Sequence, residues 1–408
     1  MRYAAILLLF LLVNTTGGWA QSTLNGTIRD SLTQKPLELA SVFLANTTYG
    51  ASTNASGQFT IKNVPAGPYD LIVSYVGYQL FKRRITVGNG AQPLELLLTP
   101  SAQQLKGVTV RPNPNRESDY QKFAETFLGR TSFSRQCRIR NPDAVLVAFD
   151  AEQNQLTASS PTFVQVDNDA LGYRVKYYGL EFTLNFKQQY VSFYGWPVFE
   201  EMTPRRNKQR QRWLTNREKA YRGSLTHFLK SVRDNDLAQQ GFLVRKLRIV
   251  PNPRFARTDS LRKALLRARR NQALTAAEMD SIDRWVKMPP NFSMLYMAER
   301  PIDSLRRAEF TPKRVYLRFS DYLQVSYLRE APDPLYQPAR PFGAPPGPVA
   351  RPIRQISLLT LTQPEVEILP NGQLVEPLAV LTDEYWAFEK MGELLPLDYQ
   401  PPPSTTPR

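Results

Sequence analysis

From Val42 to Leu98 apolar side chains recur at every second position: Val42 and Leu44, Phe59 and Ile61, Tyr69, Leu71, Val73 and Tyr75, Ile85 and Val87, then Leu94, Leu96 and Leu98. A spacing of two puts each set on one face of an extended strand, and a helix cannot gather them. Turn signals separate the runs: Gly57 stands where a tight turn needs left-handed backbone, and Pro65-Ala66-Gly67 is a second break. Seven short strands in fewer than 80 residues can bury such faces only against one another, so a β-sandwich over residues 21–100 is expected.

The stretch before it reads as an export leader, residues 1–20: Met1-Arg2 is a short positive start, Ala4 to Val13 is an unbroken apolar run, and Gly18-Trp19-Ala20 offers a small-residue cleavage site. The apolar run falls short of the roughly 20 residues that span a bilayer, and no later segment comes close. Gln21 and Ser22 follow the cleavage point, where lipid attachment would need Cys. The expectation is a protein of the periplasm or cell envelope with no transmembrane segment in its mature chain. With Cys137 as its single cysteine it has no internal disulfide, and its cores must hold it.

The sandwich segment resembles the carboxypeptidase regulatory-like domain, a transthyretin-like β-sandwich. The residues that carry the resemblance are Gly26-Thr27-Ile28, Pro36-Leu37 through Ala40-Ser41-Val42, the Thr53 to Phe59 turn, Val64-Pro65-Ala66-Gly67-Pro68-Tyr69 and Val76-Gly77-Tyr78. The resemblance implies an accessory unit without catalytic residues of its own, found beside metallocarboxypeptidases or at the front of TonB-dependent receptors. A zinc carboxypeptidase needs two His and a Glu around the metal, and this chain has one histidine, His227, with Lys230 three residues on. That enzyme is excluded. Leu105 to Val110 looks like a lead-in to a receptor plug, but the residues after Val110 are too few for a plug and a large barrel.

After a linker at 101–118, residues 119–399 read as a β-rich α+β domain. A short helix is expected around Phe123 to Phe127, then strands at Ala144 to Phe149, Phe163 to Val166, Tyr173 to Tyr178, Glu181 to Phe186 and Tyr190 to Phe193. The fold class is therefore mainly β, with a seven-stranded sandwich followed by a β-rich domain that carries a basic helical insertion at about 205–287. Between Arg205 and Arg270 there are 20 Lys and Arg against four acids, so this stretch accounts for almost the whole net charge of +16. Thr215 with Glu218 and Thr275 with Glu278 have the spacing of capping boxes, and Ser260 to Arg270 reads as a further helix. Arg205, Arg206, Arg210, Arg212, Arg262, Lys263, Arg267, Arg269 and Arg270 form the candidate anionic-ligand surface. In an exported protein its partner would be an envelope glycan, a lipid headgroup or a partner protein rather than nucleic acid.

Arg217, Tyr221, Ser224 and His227 fall at spacings of three and four and would share one helix face, either lining a site or packing the helix. A Cys137 and His227 pair would support thiol chemistry only if the fold brought them together. No Gly-x-Ser-x-Gly elbow, phosphate loop or dinucleotide fingerprint occurs, and no cofactor, metal or catalytic residue is expected. Strands resume at Tyr316 to Phe319, Tyr322 to Tyr327, Ile356 to Leu361 and Glu365 to Leu369, with a tight turn at Asn371-Gly372. A Pro-rich loop at 331–352 interrupts them, Trp386 to Leu395 is a short amphipathic piece, and 400–408 is a tail.

Phe123 to Gly129, Arg217 to Phe228, Asp321 to Val325 and Tyr385 to Tyr399 resemble Bacteroidetes carboxypeptidase-like regulatory domain-containing proteins, a group to which no activity attaches. The sequence thus leads to an exported, non-catalytic binding or assembly protein of the cell envelope. A hydrolase with a carboxylate pair in the second domain and a periplasmic partner of an outer-membrane transporter are the alternatives.

Overall fold

Residues 21–88, 92–101, 115–268, 275–286, 288–310, 313–339 and 349–402 are described by a computed structural model of the chain. The leader expected at residues 1–20, most of the 101–118 linker with its Leu105 to Val110 segment, Arg269 and Arg270, residues 340–348 of the Pro-rich loop and 403–408 of the expected tail lie outside the described residues. The chain forms two compact units, the first holding residues up to Phe123 with Arg138–Asp167 and Tyr173–Thr203, the second holding the remainder.

The first unit begins with the expected seven strands: β1 (Gln21–Asp30), β2 (Ser41–Leu44), β3 (Gly50–Ser52), β4 (Gln58–Pro65), β5 (Gly67–Ser74), β6 (Phe81–Val87) and β7 (Leu94–Leu98). They form two sheets, β4-β1-β7 and β3-β2-β5-β6. Their inner faces meet in a core with Ile28, Leu44, Leu71, Leu96 and Leu98 at its centre. Gly57 has φ of +71°, and a Cβ there would lie 2.5 Å from the Ile28 carbonyl oxygen, so the turn admits glycine alone.

After helix α1 (Arg116–Leu128) come β8 (Cys137–Ile139), β9 (Leu146–Asp150), β10 (Gln155–Ser159), β11 (Phe163–Asn168), β12 (Tyr173–Asn185) and β13 (Tyr190–Glu201). Their order is β8-β11-β12-β10-β9, with β13 also paired to β12. Phe43 and Ile72, on the outer face of the sandwich sheet, pack with Tyr178 and Val198 of this sheet in a second core. Covered on both faces, Leu71, Ile72 and Val73 are all buried, and the strand becomes a continuous apolar run. The two strands expected at 173–178 and 181–186 are one strand with an irregularity between Tyr178 and Glu181, and the strand at Tyr190 runs on past Pro197 to Glu201.

The second unit holds α2 (Asn207–Tyr221), α3 (Leu225–Asp234), α4 (Leu237–Gln240), β14 (Phe242–Pro251), α5 (Pro253–Ala268), α6 (Ala276–Val286), β15 (Asn291–Glu299), β16 (Arg306–Phe310), β17 (Lys313–Arg318), β18 (Tyr322–Tyr327), β19 (Gln355–Leu361), β20 (Glu365–Glu367), β21 (Val380–Glu384) and α7 (Tyr385–Phe388). Its sheets are β15-β14-β18-β19-β21 and β16-β17-β20. Phe228, Leu229 and Val232 of α3 pack on Phe242, Val244, Leu323, Val325 and Leu359 of the larger sheet. The helical segment expected at 205–287 is therefore divided by β14, a strand that pairs with both β15 and β18. Thr215 caps nothing, because α2 is already under way from Asn207; the cap in this region is Ser224, whose side chain accepts from the His227 backbone N–H. Thr275 and Glu278 do form the expected box: the Thr275 backbone N–H donates to Glu278 Oε2 at 2.9 Å and the Glu278 N–H to Thr275 Oγ1 at 3.3 Å. Among the described residues no helix is long and apolar enough to cross a membrane.

Candidate functional site

The turn between α2 and α3 anchors the site. Gly223 has φ of +79°, and a Cβ there would lie 2.2 Å from Gln355 Oε1 and 2.7 Å from the Tyr327 ring. Its backbone is used twice: the N–H donates to His227 Nδ1 at 3.1 Å, and the carbonyl accepts from Trp386 Nε1 at 2.8 Å. Trp386 also donates its backbone N–H to Ser357 Oγ at 3.1 Å. The Ala220 to His227 segment and the Tyr385 to Tyr399 segment are thereby tied together.

Between them lies a pocket of about 230 Å³, lined by Tyr221, Ser224, Thr226 and Lys230 on one side and by Trp386, Glu389, Glu393 and Tyr399 on the other. Lys230 Nζ sits 5.5 Å from the centre of the Tyr221 ring, and the Tyr221 and Tyr399 rings are 5.8 Å apart. Aromatic walls with a few fixed polar groups are the usual make-up of a small-molecule site, although the volume lies below the roughly 300–1,000 Å³ of drug-sized pockets.

The polar walls are moved toward their neutral forms. Burial raises Glu389 well above the ordinary carboxyl range, with Glu393, Glu330 and Asp333 adding repulsion. Burial likewise pushes Glu393 up to about 7, against the bond it accepts from the Thr131 hydroxyl. Glu330 is also pushed up to about 7, chiefly by burial, with Lys219 at 3.8 Å opposing. Lys230 and Lys390 are lowered by burial. Glu389 and Glu393 also border a second, narrower space of about 20 Å³ with Glu330, Asp333 and Gln355, room for about one water. Gln355 Oε1 is buried there without a hydrogen-bond partner.

The helix-face candidates divide. Tyr221 and Ser224 line the pocket, whereas Arg217 is buried and donates from Nε to the Leu171 carbonyl at 2.7 Å and from Nη2 to that of Gly172 at 3.2 Å. His227 is enclosed by the Tyr221, Phe242 and Tyr327 rings. Because Nδ1 accepts from Gly223, the proton sits on Nε2, which donates to Gln240 Oε1 at 3.1 Å. Burial lowers its pKa to about 4, so this imidazole is neutral and fully occupied. Cys137 donates to the Phe133 carbonyl at 3.6 Å, and burial raises its thiol, the reverse of activation. His227 is thus no base for it.

The basic candidates lie on two elements. Arg205, Arg206, Arg210 and Arg212 are exposed around the start of α2, where Arg212 Nη2 also donates to the Asp169 carbonyl at 3.2 Å. Lys263 and Arg267 are exposed on α5, Lys263 paired with Asp259 at 2.5 Å; Arg262 is on the same helix. Among the described residues no group of His, Cys, Asp and Glu side chains is arranged to hold a metal ion. The pocket carboxyls Glu389 and Glu393 were absent from the sequence candidates, although the Tyr385 to Tyr399 segment that holds them carried the whole-chain resemblance.

Residues 24–110 match the family model of the CarboxypepD_reg-like domain. No curated protein matches the chain. Among solved structures the chain is similar to the pilus 2b backbone protein of group B streptococcus, at 18% identity over 20% of this chain and 42% of that one, with a TM-score of 0.18. It thus spans under half of that protein. A putative carbohydrate binding protein from Bacteroides uniformis is 11% identical over 43% of this chain and 78% of that one, with a TM-score of 0.17. A putative membrane-associated protein of unknown function from Bacteroides fragilis is 11% identical over 90% and 95% of the two chains, again at a TM-score of 0.17. At such scores these likenesses carry no argument about function.

Proposed function

We propose that this is an exported, non-catalytic binding or assembly protein of the cell envelope, in which the β-sandwich is an accessory module and the pocket beside Gly223 takes a glycan or peptide segment. The observation that supports the reading is the composition of that pocket: Tyr221, Trp386 and Tyr399 offer flat apolar surface, while Ser224, Lys230 and Glu389 offer hydrogen bonds within about 230 Å³. Neutral carboxyls donate as well as accept, which suits hydroxyl-rich or amide-bearing ligands. Immobilised glycan and peptide arrays probed with the protein and with its Tyr399→Ala and Glu389→Ala variants test it. One compound class should be retained, with retention about tenfold weaker in both variants. Absence of retention on either array, or retention indifferent to both substitutions, would remove the pocket from the account.

A hydrolase is the second reading. Burial raises Glu330 and Glu393 to about 7 and raises Glu389 as well, with Glu393 and Glu330 repelling it, as suits the protonated acid of a carboxyl pair. Turnover of aryl glycosides or peptides that is abolished by Glu389→Gln would establish it, and no turnover between about pH 5 and 8 would leave the binding reading. For a transporter partner, strand addition at the sandwich edge is disfavoured on one sheet, because edge strand β3 has three residues and edge strand β6 carries Lys82, Arg83 and Arg84 in succession.

A further inference from the structure

We infer that the β14 and β15 ribbon docks the protein on an anionic phospholipid surface. β14 pairs with β18 only from Phe242 to Leu247; from Arg248 to Pro251 its partner is β15 alone, so this part of the ribbon runs beyond the sheet. The register places Met294 opposite Arg248 and Phe292 opposite Val250, and opposed residues share a face. Ile249 is on the other face, opposite Ser293.

The apolar side chains here are uncovered. Phe292 is 48%, Met294 50%, Met297 69% and Ile249 36% exposed. A ribbon face left to water would carry polar residues, and this one alternates bulky apolar groups with cations. Arg248 is exposed opposite Met294 on the face it shares with Phe292, and Lys246 Nζ, paired with Asp321 at 2.8 Å, lies 5.7 Å from the centre of the Tyr296 ring. Arg254 and Arg257, both exposed, follow directly at the start of α5. From Arg245 to Arg267 the sequence has eight cations and one acid, Asp259, which Lys263 engages.

Charge decides the occupant. A second copy added along the β15 edge would set β15 against β15 and leave Arg248, a strand away on β14, and the α5 cations Arg254 and Arg257 outside the pairing. An apolar groove on a neutral protein would leave the cations unanswered. An anionic lipid leaflet answers both, since phenyl, thioether and Tyr groups sit in the headgroup layer while Lys and Arg meet the phosphates.

Flotation of the purified protein with vesicles of phosphatidylcholine, with and without about one third phosphatidylglycerol, tests the inference. The protein should float with the anionic vesicles and not with the neutral ones, and release as salt rises. Phe292→Ser with Met294→Ser should weaken flotation about tenfold, and Arg254→Glu with Arg257→Glu at least as much. All four are exposed, so melting curves should stay unchanged. Tyr399→Ala, a pocket substitution, should float normally, which separates this surface from the proposed ligand site. No flotation with anionic vesicles would overturn the inference, as would flotation that survives both double variants or capture only by an acidic protein.

Discussion

The sandwich and the pocket region treat buried charge in opposite ways. In the sandwich Asp30 is buried but answered: Tyr78 donates its hydroxyl at 2.5 Å, and the Thr33 and Leu32 backbone N–H groups donate at 2.7 and 2.8 Å. The Tyr78 bond first, then the backbone bonds, hold this carboxyl down at about 2. In the pocket region burial prevails, and Glu330, Glu389, Glu393, Lys230, Lys390 and His227 all move toward their neutral forms. A module selected for stability alone has no reason to keep titratable groups where water has been removed and little replaces it. The contrast agrees with the proposed division, in which the sandwich is scaffold and the region around Gly223 is the ligand site.

The largest effect that sharpens this contrast is Phe228→Ala, which empties part of the second unit's core and should cost about 3–5 kcal/mol. Hydrogen exchange should accelerate in α3 and the β14 and β18 strands while the sandwich amides stay protected. Equal acceleration in β1 and β5 would mean that the two regions share one cooperative unit. Next, Gly223→Ala forces a Cβ onto Gln355 and a side chain into left-handed backbone, at a cost of about 1–3 kcal/mol read from the melting temperature. A neutral outcome would show that the turn is not the anchor described.

Two substitutions read opposite pH signs. Glu393 has a folded pKa of about 7, above its unfolded value, so the folded state keeps its proton longer. Its contribution is neutral below the unfolded value of 4.5, becomes destabilising as pH rises from there toward 7 and levels off above that, on the order of 3 kcal/mol by pH 8. Glu393→Gln should flatten that limb of a melting-temperature profile and raise stability at pH 8, and an unchanged limb would show that burial does not hold the Glu393 proton. Asp30 has the reverse sign, with stability present above its unfolded pKa and lost as pH falls through about 2. Asp30→Asn should therefore reduce the loss of stability on acidification, the smallest of the four effects.

The sandwich was legible because its strands alternate and its turns need glycine: Phe59 and Ile61 point inward on β4, and Gly57 could be read as a turn without coordinates. Much less of the second unit was. β14 lies in the most basic stretch of the chain, and only Phe242, Val244 and Leu247 are buried, a spacing broken by the irregularity between Arg245 and Leu247. Pro197 hid the length of β13, yet that strand pairs with β12 alone among the described strands, and an edge strand tolerates proline. The pocket was nearly invisible, since Glu389, Lys390 and Glu393 have the composition of a solvated turn and only tertiary contacts half-bury them. Two segments that build it, Arg217 to Phe228 and Tyr385 to Tyr399, were nonetheless among the four that carried the resemblance of the second domain.

The most direct test of the central claim is a crystal structure of the protein soaked with the compound its array retains best. Density is expected in the pocket, against Tyr221, Glu389 and Tyr399, with Gly223 and Trp386 unmoved. Density at another surface, or an empty pocket beside a compound that binds in solution, would contradict the claim.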